Sequence, residues 1–429
     1  MSNNAWKGGT YKPHVVVLGS NFGGLTAARL IREEAKDTVD ITVIDRKSYL
    51  LFVPNIPLEI FSNNDPVQKL HMSFYPFLKE DKTEFLQAQV MDIDVESKYV
   101  SIVPTERPGS ASEKIYYDYL VIALGTRLDY AAIPGFAEFG HTVSDSYYGN
   151  KLRRYLFDGH YKGGPVAVGS ARFKMGTKGN PDWLHEMKAA CEGPPLEISL
   201  GLSALLNEKK WGSSKNITLF TPGEYIAEDA GVPIVKEFLH MAVDQMGMGY
   251  VNNVEDIKEI TKDGIIFENG QSVEAELKIV LPNWNPHPFM KILPIVDEQG
   301  FVVTDLFMRN PDHPEIMAVG DCSALAAPKL GGIGDMQARI VARQIAKDMG
   351  VLKHPEQDLP FKPTIMCFGD MGNHKAFYIH SDLFYGGKTG IMKMGHMYYA
   401  MKMGFKEMYY RTGGKPPGWG IRLTEIVGD

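Results

Sequence analysis

The chain has 429 residues, more than one ordinary core encloses, so two or three domains are expected. Its 44% hydrophobic and 23% charged residues are those of a folded globular protein, and a net charge of -7 excludes a nucleic-acid binder, whose phosphate contacts need a basic surface. Three cysteines, Cys191, Cys322 and Cys367, with no C-x-x-C pair exclude a disulfide framework and a zinc site, so no metal is expected. The opening MSNNAWKGGTYKPHVVVLG has no apolar core of a signal peptide, and no run of eighteen apolar residues suits a membrane span.

In chain order, Val15-Val16-Val17-Leu18 is an unbroken apolar run, as in a strand buried on both faces of a parallel sheet. Gly19, Gly23 and Gly24 then form a tight turn into a helix expected over Leu25 to Glu34, and a second strand, Ile41 to Ile44, ends in Asp45. Glycines in such a strand, turn and helix let the backbone approach a pyrophosphate at the helix N-terminus, while the acidic residue takes ribose hydroxyls. Asn21 stands in the second glycine's place, beside Phe22, and Arg46 follows Asp45; asparagine tolerates unusual backbone angles. Two later strands end in Ala123-Leu124-Gly125-Thr126 and in Gly320-Asp321. These three pieces resemble the signatures of two-dinucleotide-binding-domain flavoproteins, and the resemblance implies FAD, with Asp321 on its ribityl chain.

That resemblance implies two Rossmann-like domains in an α/β fold, the second inserted in the first. The FAD-binding domain is expected over 12–149 and 295–365, and the second over 150–294. The second opens on Gly164 to Gly169, but Ser170-Ala171-Arg172-Phe173-Lys174 supplies no further phosphate-cradling glycine. Its helix is delayed to about Leu196 to Leu206, and the next strand, Ile217 to Phe220, ends in Thr221 where an acidic residue would hold the ribose of NADH. A scaffold without either nucleotide contact must take its electrons elsewhere.

Between that strand and its helix stands Cys191-Glu192-Gly193-Pro194-Pro195-Leu196-Glu197. With Phe52-Val53-Pro54-Asn55, RNPDHPEIMAVGD and Pro328-Lys329-x-Gly331 it resembles the sulfide:quinone oxidoreductases and the related flavoprotein subunit of flavocytochrome c sulfide dehydrogenase. The resemblance runs from about His14 to beyond Cys367. It implies Cys191 and Cys367 as a redox pair facing the flavin ring, with Cys367 the thiolate that reacts with the flavin, and Cys322 as a bystander. It adds Pro54 and Lys329 to the FAD contacts. Sulfide would attack a disulfide or bridging polysulfide between the pair, and the product would be polysulfide or zero-valent sulfur. Glu197 is assigned proton transfer, against the plainer reading of a first-turn carboxylate worth about 0.3 to 1 kcal/mol at the helix dipole. Some members attach FAD covalently through a cysteine where Ser144 stands here, so non-covalent FAD is expected.

From His374 to Asp429 there are eight Lys and Arg against four Asp and Glu. Within this region Met394, Met397, Met401, Phe405 and Met408 recur every three or four residues, one face of a helix with Lys402 and Lys406 off it. Residues 366–429 are therefore expected to be an amphipathic membrane-association region lying on the bilayer surface of the cell membrane, its lysines toward anionic lipid. A membrane quinone is the acceptor that the resemblance implies, and Phe368, Phe384 and Tyr385 are candidates for its pocket wall. Self-association into a homo-oligomer is left open. The competing readings are a type II NADH:quinone oxidoreductase, which needs a working second nucleotide site, the flavocytochrome subunit, which is exported, and a non-enzymatic flavoprotein scaffold.

Overall fold

The computed structural model describes residues 11–415. Its largest sheet has seven strands in the order Ile316–Ala318, Tyr119–Ile122, His14–Leu18, Asp40–Asp45, Glu84–Asp94, Tyr99–Pro104 and Glu113–Tyr116. The first five run parallel, and the last two close the sheet as an antiparallel meander. His14–Leu18 lies in the middle, and Val15, Val16, Val17 and Leu18 are wholly buried, which accounts for its unbroken apolar sequence. The helices Phe22–Ala35 and Gly331–Asp348 pack against each other beside it.

A second sheet is parallel throughout, in the order Gly140–His141, Leu277–Leu281, Val166–Ser170, Ile217–Phe220 and Gly249–Val251. Two of its inner strands, Leu277–Leu281 and Val166–Ser170, are buried along their whole length. Here Gly169 serves packing: a Cβ at that position would collide with the Phe220 carbonyl and ring. The delayed helix runs over Gly193–Lys209, earlier than the expected Leu196, because Pro194 and Pro195 fit its first turn, where the backbone N–H groups lack partners in any case. Residues 171–192 explain the delay. They pack on the segment that follows the strand Ile316–Ala318, where Asn180 donates to the Ala324 carbonyl at 2.9 Å and accepts from the Ala326 amide at 2.7 Å.

A third, antiparallel sheet comprises Ile365–Asp370, Ala376–Ser381 and Gly390–Gly395, with Cys367 opposite Ile379 and Ile379 opposite Met392. The C-terminal helix His396–Thr412 follows at once. Met394 belongs to the strand before this helix, so the apolar stripe on the helix begins at Met397. No described helix is long and apolar enough to cross a membrane. Residues 416–429 of the expected membrane-association region lie outside the described residues.

Candidate active site

The glycine turn leaves the central strand at Gly19, whose φ of +98° and close approach to the Ala123 carbonyl admit only glycine. Asp45 accepts from the Ser20 amide at 2.7 Å and its hydroxyl at 2.9 Å, tying the turn to the second strand. The helix starts at Phe22 rather than Leu25, and it has no side-chain cap and no acidic residue in its first turn. Its N–H groups and positive dipole end are therefore open to an anionic ligand. Asn21 has ordinary extended backbone (φ -84°), so tolerance of unusual angles is not why it stands there. Its buried Oδ1 has no hydrogen-bond partner among the described residues.

Facing this turn, the amide of Gly320 donates to Gln337 Oε1 at 2.6 Å, and a Cβ added at Gly320 or Gly125 would meet nothing within 4 Å. Lys329 is buried, and its ammonium donates to the Ser323 carbonyl at 2.8 Å and lies 5.0 Å from the centre of the Phe301 ring. Burial raises the Asp321 carboxyl above its usual range, and the Lys329 charge opposes that rise. Open glycine backbone, an orphaned buried amide oxygen and two uncapped helix N-termini suit a dinucleotide, so these residues fit FAD. Arg46 is exposed at the end of the second strand.

The backbone amide of Lys329 donates to the Ala190 carbonyl at 2.8 Å, which fixes the cysteine loop against this cradle. Cys191 is buried, one residue before the N-cap of the helix Gly193–Lys209. A Cβ on Gly193 would lie 3.2 Å from Cys367 Sγ, so Cys367 lies against the turn that follows Cys191. Burial pushes the Cys367 thiol up to about 12, with the Lys402 charge opposing and Glu197 and Asp229 adding to the rise. Burial also pushes the Cys191 thiol well above its usual range, with Asp229 and Cys367 adding to the rise. Cys322 Sγ donates to the Ile122 and Val319 carbonyls at 3.1 and 3.4 Å, a thiol fully engaged at a strand end.

Glu197 lies in the second turn of its helix, so the first-turn reading does not describe it. It is buried, accepts from the Asp370 amide at 3.0 Å and pairs with Lys402 at 2.9 Å. Lys402 is 3% exposed and also donates to the carbonyls of Pro54 (2.9 Å) and Phe368 (3.0 Å). Lys406 pairs with Glu59 at 3.5 Å. Both lysines therefore face the protein, and their expected place among lipid headgroups is corrected. Met397 and Phe405 of the same helix are 48% and 36% exposed. Arg29 holds the end of this helix through the Thr412 and Gly413 carbonyls, and Tyr409 packs 5.2 Å from Phe22 in the glycine turn.

The three aromatic candidates do not form one wall. Cys367 and Phe368 are neighbours in a strand and face opposite sides; Phe368 stacks on Tyr378 at 4.9 Å, toward Tyr398 of the C-terminal helix. Phe384 and Tyr385 lie on the Cys191 side, near Asp229. Sequence reasoning also missed Glu192. It is buried at the C-terminal end of the strand Ile217–Phe220, accepting from Thr221 Oγ1 and from the Ala227 amide, each at 2.7 Å. Thr221 had signalled a lost ribose contact, and the side chain that replaces that contact comes from the cysteine loop.

Fold and site together define an FAD-dependent oxidoreductase, and residues 13–160 match the family described as pyridine nucleotide-disulphide oxidoreductase. The chain is similar to the sulfide-quinone reductase of Aquifex aeolicus (strain VF5), 23% identical over 96% of this chain and 94% of that protein. The crystal structure of the sulfide:quinone oxidoreductase from Aquifex aeolicus covers 96% of this chain and 95% of its own, with a TM-score of 0.78 at 22% identity. The structure of NDH2 from Plasmodium falciparum in complex with NADH covers 97% of both chains, with a TM-score of 0.66 at 15% identity. The resemblance drawn from the motifs thus extends along nearly the whole chain.

Proposed function

We propose that this protein is a sulfide:quinone oxidoreductase, in which Cys191 and Cys367 form the redox pair that receives sulfide. The observation that carries this reading is the approach of Cys367 Sγ to the Gly193 turn that follows Cys191, in a loop held to the Lys329 amide beside the residues that fit FAD. Bound FAD supplies a two-electron acceptor that can be reoxidised by a quinone. Attack of hydrosulfide on a Cys191–Cys367 disulfide breaks the S–S bond, leaving a persulfide on one cysteine and a thiolate on the other. The Lys402 ammonium favours the thiolate on Cys367, which assigns the persulfide to Cys191. Glu197, held by Lys402 and the Asp370 amide, is placed to move a proton beside Cys367.

The proposed FAD contacts are Gly19, Asn21, Phe22, Gly23, Gly24, Asp45, Arg46, Pro54, Ala123, Gly125, Gly320, Asp321 and Lys329. Attachment is non-covalent, since Ser144 offers only a hydroxyl, 2.9 Å from Thr142 Oγ1. Two separate sheets support a two-domain division, but strand Gly140–His141 belongs to the second sheet and the helix Ser146–Phe157 crosses residue 150, so the second domain begins before the expected 150. The exposed Met397 and Phe405 support peripheral association with the bilayer, where a lipid-soluble quinone resides.

In a steady-state assay with liposomes and a long-chain quinone, sulfide is expected to drive quinone reduction and NADH is not. NADH-driven reduction of equal rate with no sulfide-driven reduction would replace this reading with that of a type II NADH:quinone oxidoreductase.

A further inference from the structure

Cys191 is held through both of its neighbours in the chain. Before it, the Ala190 carbonyl accepts from the Lys329 amide at 2.8 Å, on the segment that follows the strand Ile316–Ala318. After it, Glu192 reaches the second sheet, where its two carboxyl oxygens meet Thr221 Oγ1 and the Ala227 amide separately, each at 2.7 Å. Thr221 is wholly buried, and its Oγ1 also accepts from the Gly223 amide at 3.1 Å. Ala227 has a φ of +56°, a left-handed backbone that is unfavourable for a residue with a Cβ and persists where surrounding contacts impose it. It opens the turn that ends at Gly231, and a Cβ on Gly231 would lie 2.7 Å from Leu383 Cβ. Leu383 follows the strand Ala376–Ser381, in which Ile379 stands opposite Cys367. The contacts of Glu192 therefore connect the Cys191 loop to the sheet that carries Cys367.

We propose that Glu192 is a positioning residue, whose two hydrogen bonds hold Cys191 at the spacing from Cys367 that their disulfide requires. The use of that spacing in turnover rests on the sulfide:quinone oxidoreductase reading. Two thiols fixed near each other react as if at high effective concentration, and freeing one flank of Cys191 lowers it, because a small misplacement is enough. The hold comes from hydrogen bonds rather than from charge. Burial raises the Glu192 carboxyl to about 8, so near neutral pH much of it is already uncharged. A glutamine can keep both contacts, its oxygen accepting from the Ala227 amide and its NH₂ donating to Thr221 Oγ1, since a hydroxyl both donates and accepts. The bond from the Lys329 amide to Ala190 involves no side chain of Glu192, so FAD stays bound when Glu192 is replaced.

The test equilibrates the FAD-bound enzyme in mixtures of reduced and oxidised glutathione and counts the Cys191–Cys367 disulfide by alkylation and mass spectrometry. Forming that bond turns two protein thiols into one disulfide and one glutathione disulfide into two thiols, so the equilibrium constant reads how well the pair is placed. Glu192→Ala is expected to lower the constant by about tenfold, which is about 30 mV for this two-electron couple, and to slow sulfide-driven flavin reduction by a similar factor. Glu192→Gln should return both to within about threefold of wild type. A residue that only stabilised the fold would lower the melting temperature without moving the constant in folded, flavin-replete protein. If Glu192→Ala does not fold, Thr221→Val carries the test, since it removes one of the two bonds, and a constant between those of Glu192→Gln and a tenfold loss is expected. The proposal is overturned if the constant is unchanged in the variant that carries the test, if Glu192→Gln is as impaired as that variant, or if the wild type forms no such disulfide. If the wild type forms the disulfide but sulfide does not reduce its flavin, the functional reading has failed, and the constants still decide the role of Glu192.

Discussion

Replacing Cys191 or Cys367 by serine is expected to cut sulfide-dependent quinone reduction by at least about 10³-fold, with FAD still bound. A serine hydroxyl can neither form the disulfide that sulfide attacks nor carry the persulfide, so both halves of the chemistry are lost together, as for groups that act as a unit. The flavin survives because neither side chain supplies the cradle, which is built from the Gly19 turn, Gly320 and the two helix N-termini. The two variants should be equally impaired, since each removes half of one bond. Cys322→Ser is the control: its Sγ faces the Ile122 and Val319 carbonyls, where a hydroxyl can also donate, so turnover should stay near wild type. Loss of turnover in Cys322→Ser with normal flavin content would mean that another pair carries the chemistry.

The second large effect concerns Lys402. Lys402→Met removes the cation that neutralises Glu197 in a place where both side chains are almost wholly buried. Breaking a buried pair at one partner costs about 3 to 5 kcal/mol, because the other charge stays behind uncompensated. The deficit should depend on pH. Burial already raises Glu197 above its usual range, and Lys402 is the largest influence opposing that rise. Without the lysine the folded-state pKa climbs further above the unfolded one. Such a group's stabilising contribution is fully present below the unfolded pKa and is lost as pH rises through the folded pKa. Thermal melts of Lys402→Met should therefore lie closest to wild type near pH 5 and fall furthest behind near pH 8. The double variant Glu197→Gln, Lys402→Met should regain most of the stability, having no charge left to bury. A single-variant deficit that is small and independent of pH would remove Lys402 from this role. Deleting the whole tail is a poor probe of membrane contact, since it also strips Lys402 from Glu197 and the Tyr409 packing from Phe22.

What could be read from the chain depended on how local the signal was. The Gly19 turn, the strand ends at Ala123 and Gly320, and the substitution of Thr221 are each written within a few residues, and the parallel strands of the two large sheets follow them. The cysteine loop was visible too, since two prolines after Cys191 cannot sit inside a helix but can begin one. The ion pairs of Lys402 and Lys406 were not legible. A lysine beside an apolar stripe reads as solvent- or lipid-facing until the buried carboxylates Glu197 and Glu59 arrive from distant parts of the chain. The three-and-four spacing carried one residue too far at Met394, because strand Gly390–Gly395 runs straight into the helix and apolar residues continue across the join. That Phe368 and Cys367, adjacent in a strand, point to opposite faces could be read from the chain, but the place of Phe384 and Tyr385 relative to Phe368 could not. Glu192 carried no signal at all, since its partners Thr221 and Ala227 define it only once the loop has folded.

Anaerobic stopped-flow mixing of the FAD-bound protein with sulfide, and separately with NADH, tests the central claim most directly. The account predicts rapid bleaching of the flavin absorbance by sulfide, no bleaching by NADH, and loss of the sulfide response in Cys191→Ser and Cys367→Ser. Bleaching by NADH without bleaching by sulfide would contradict it.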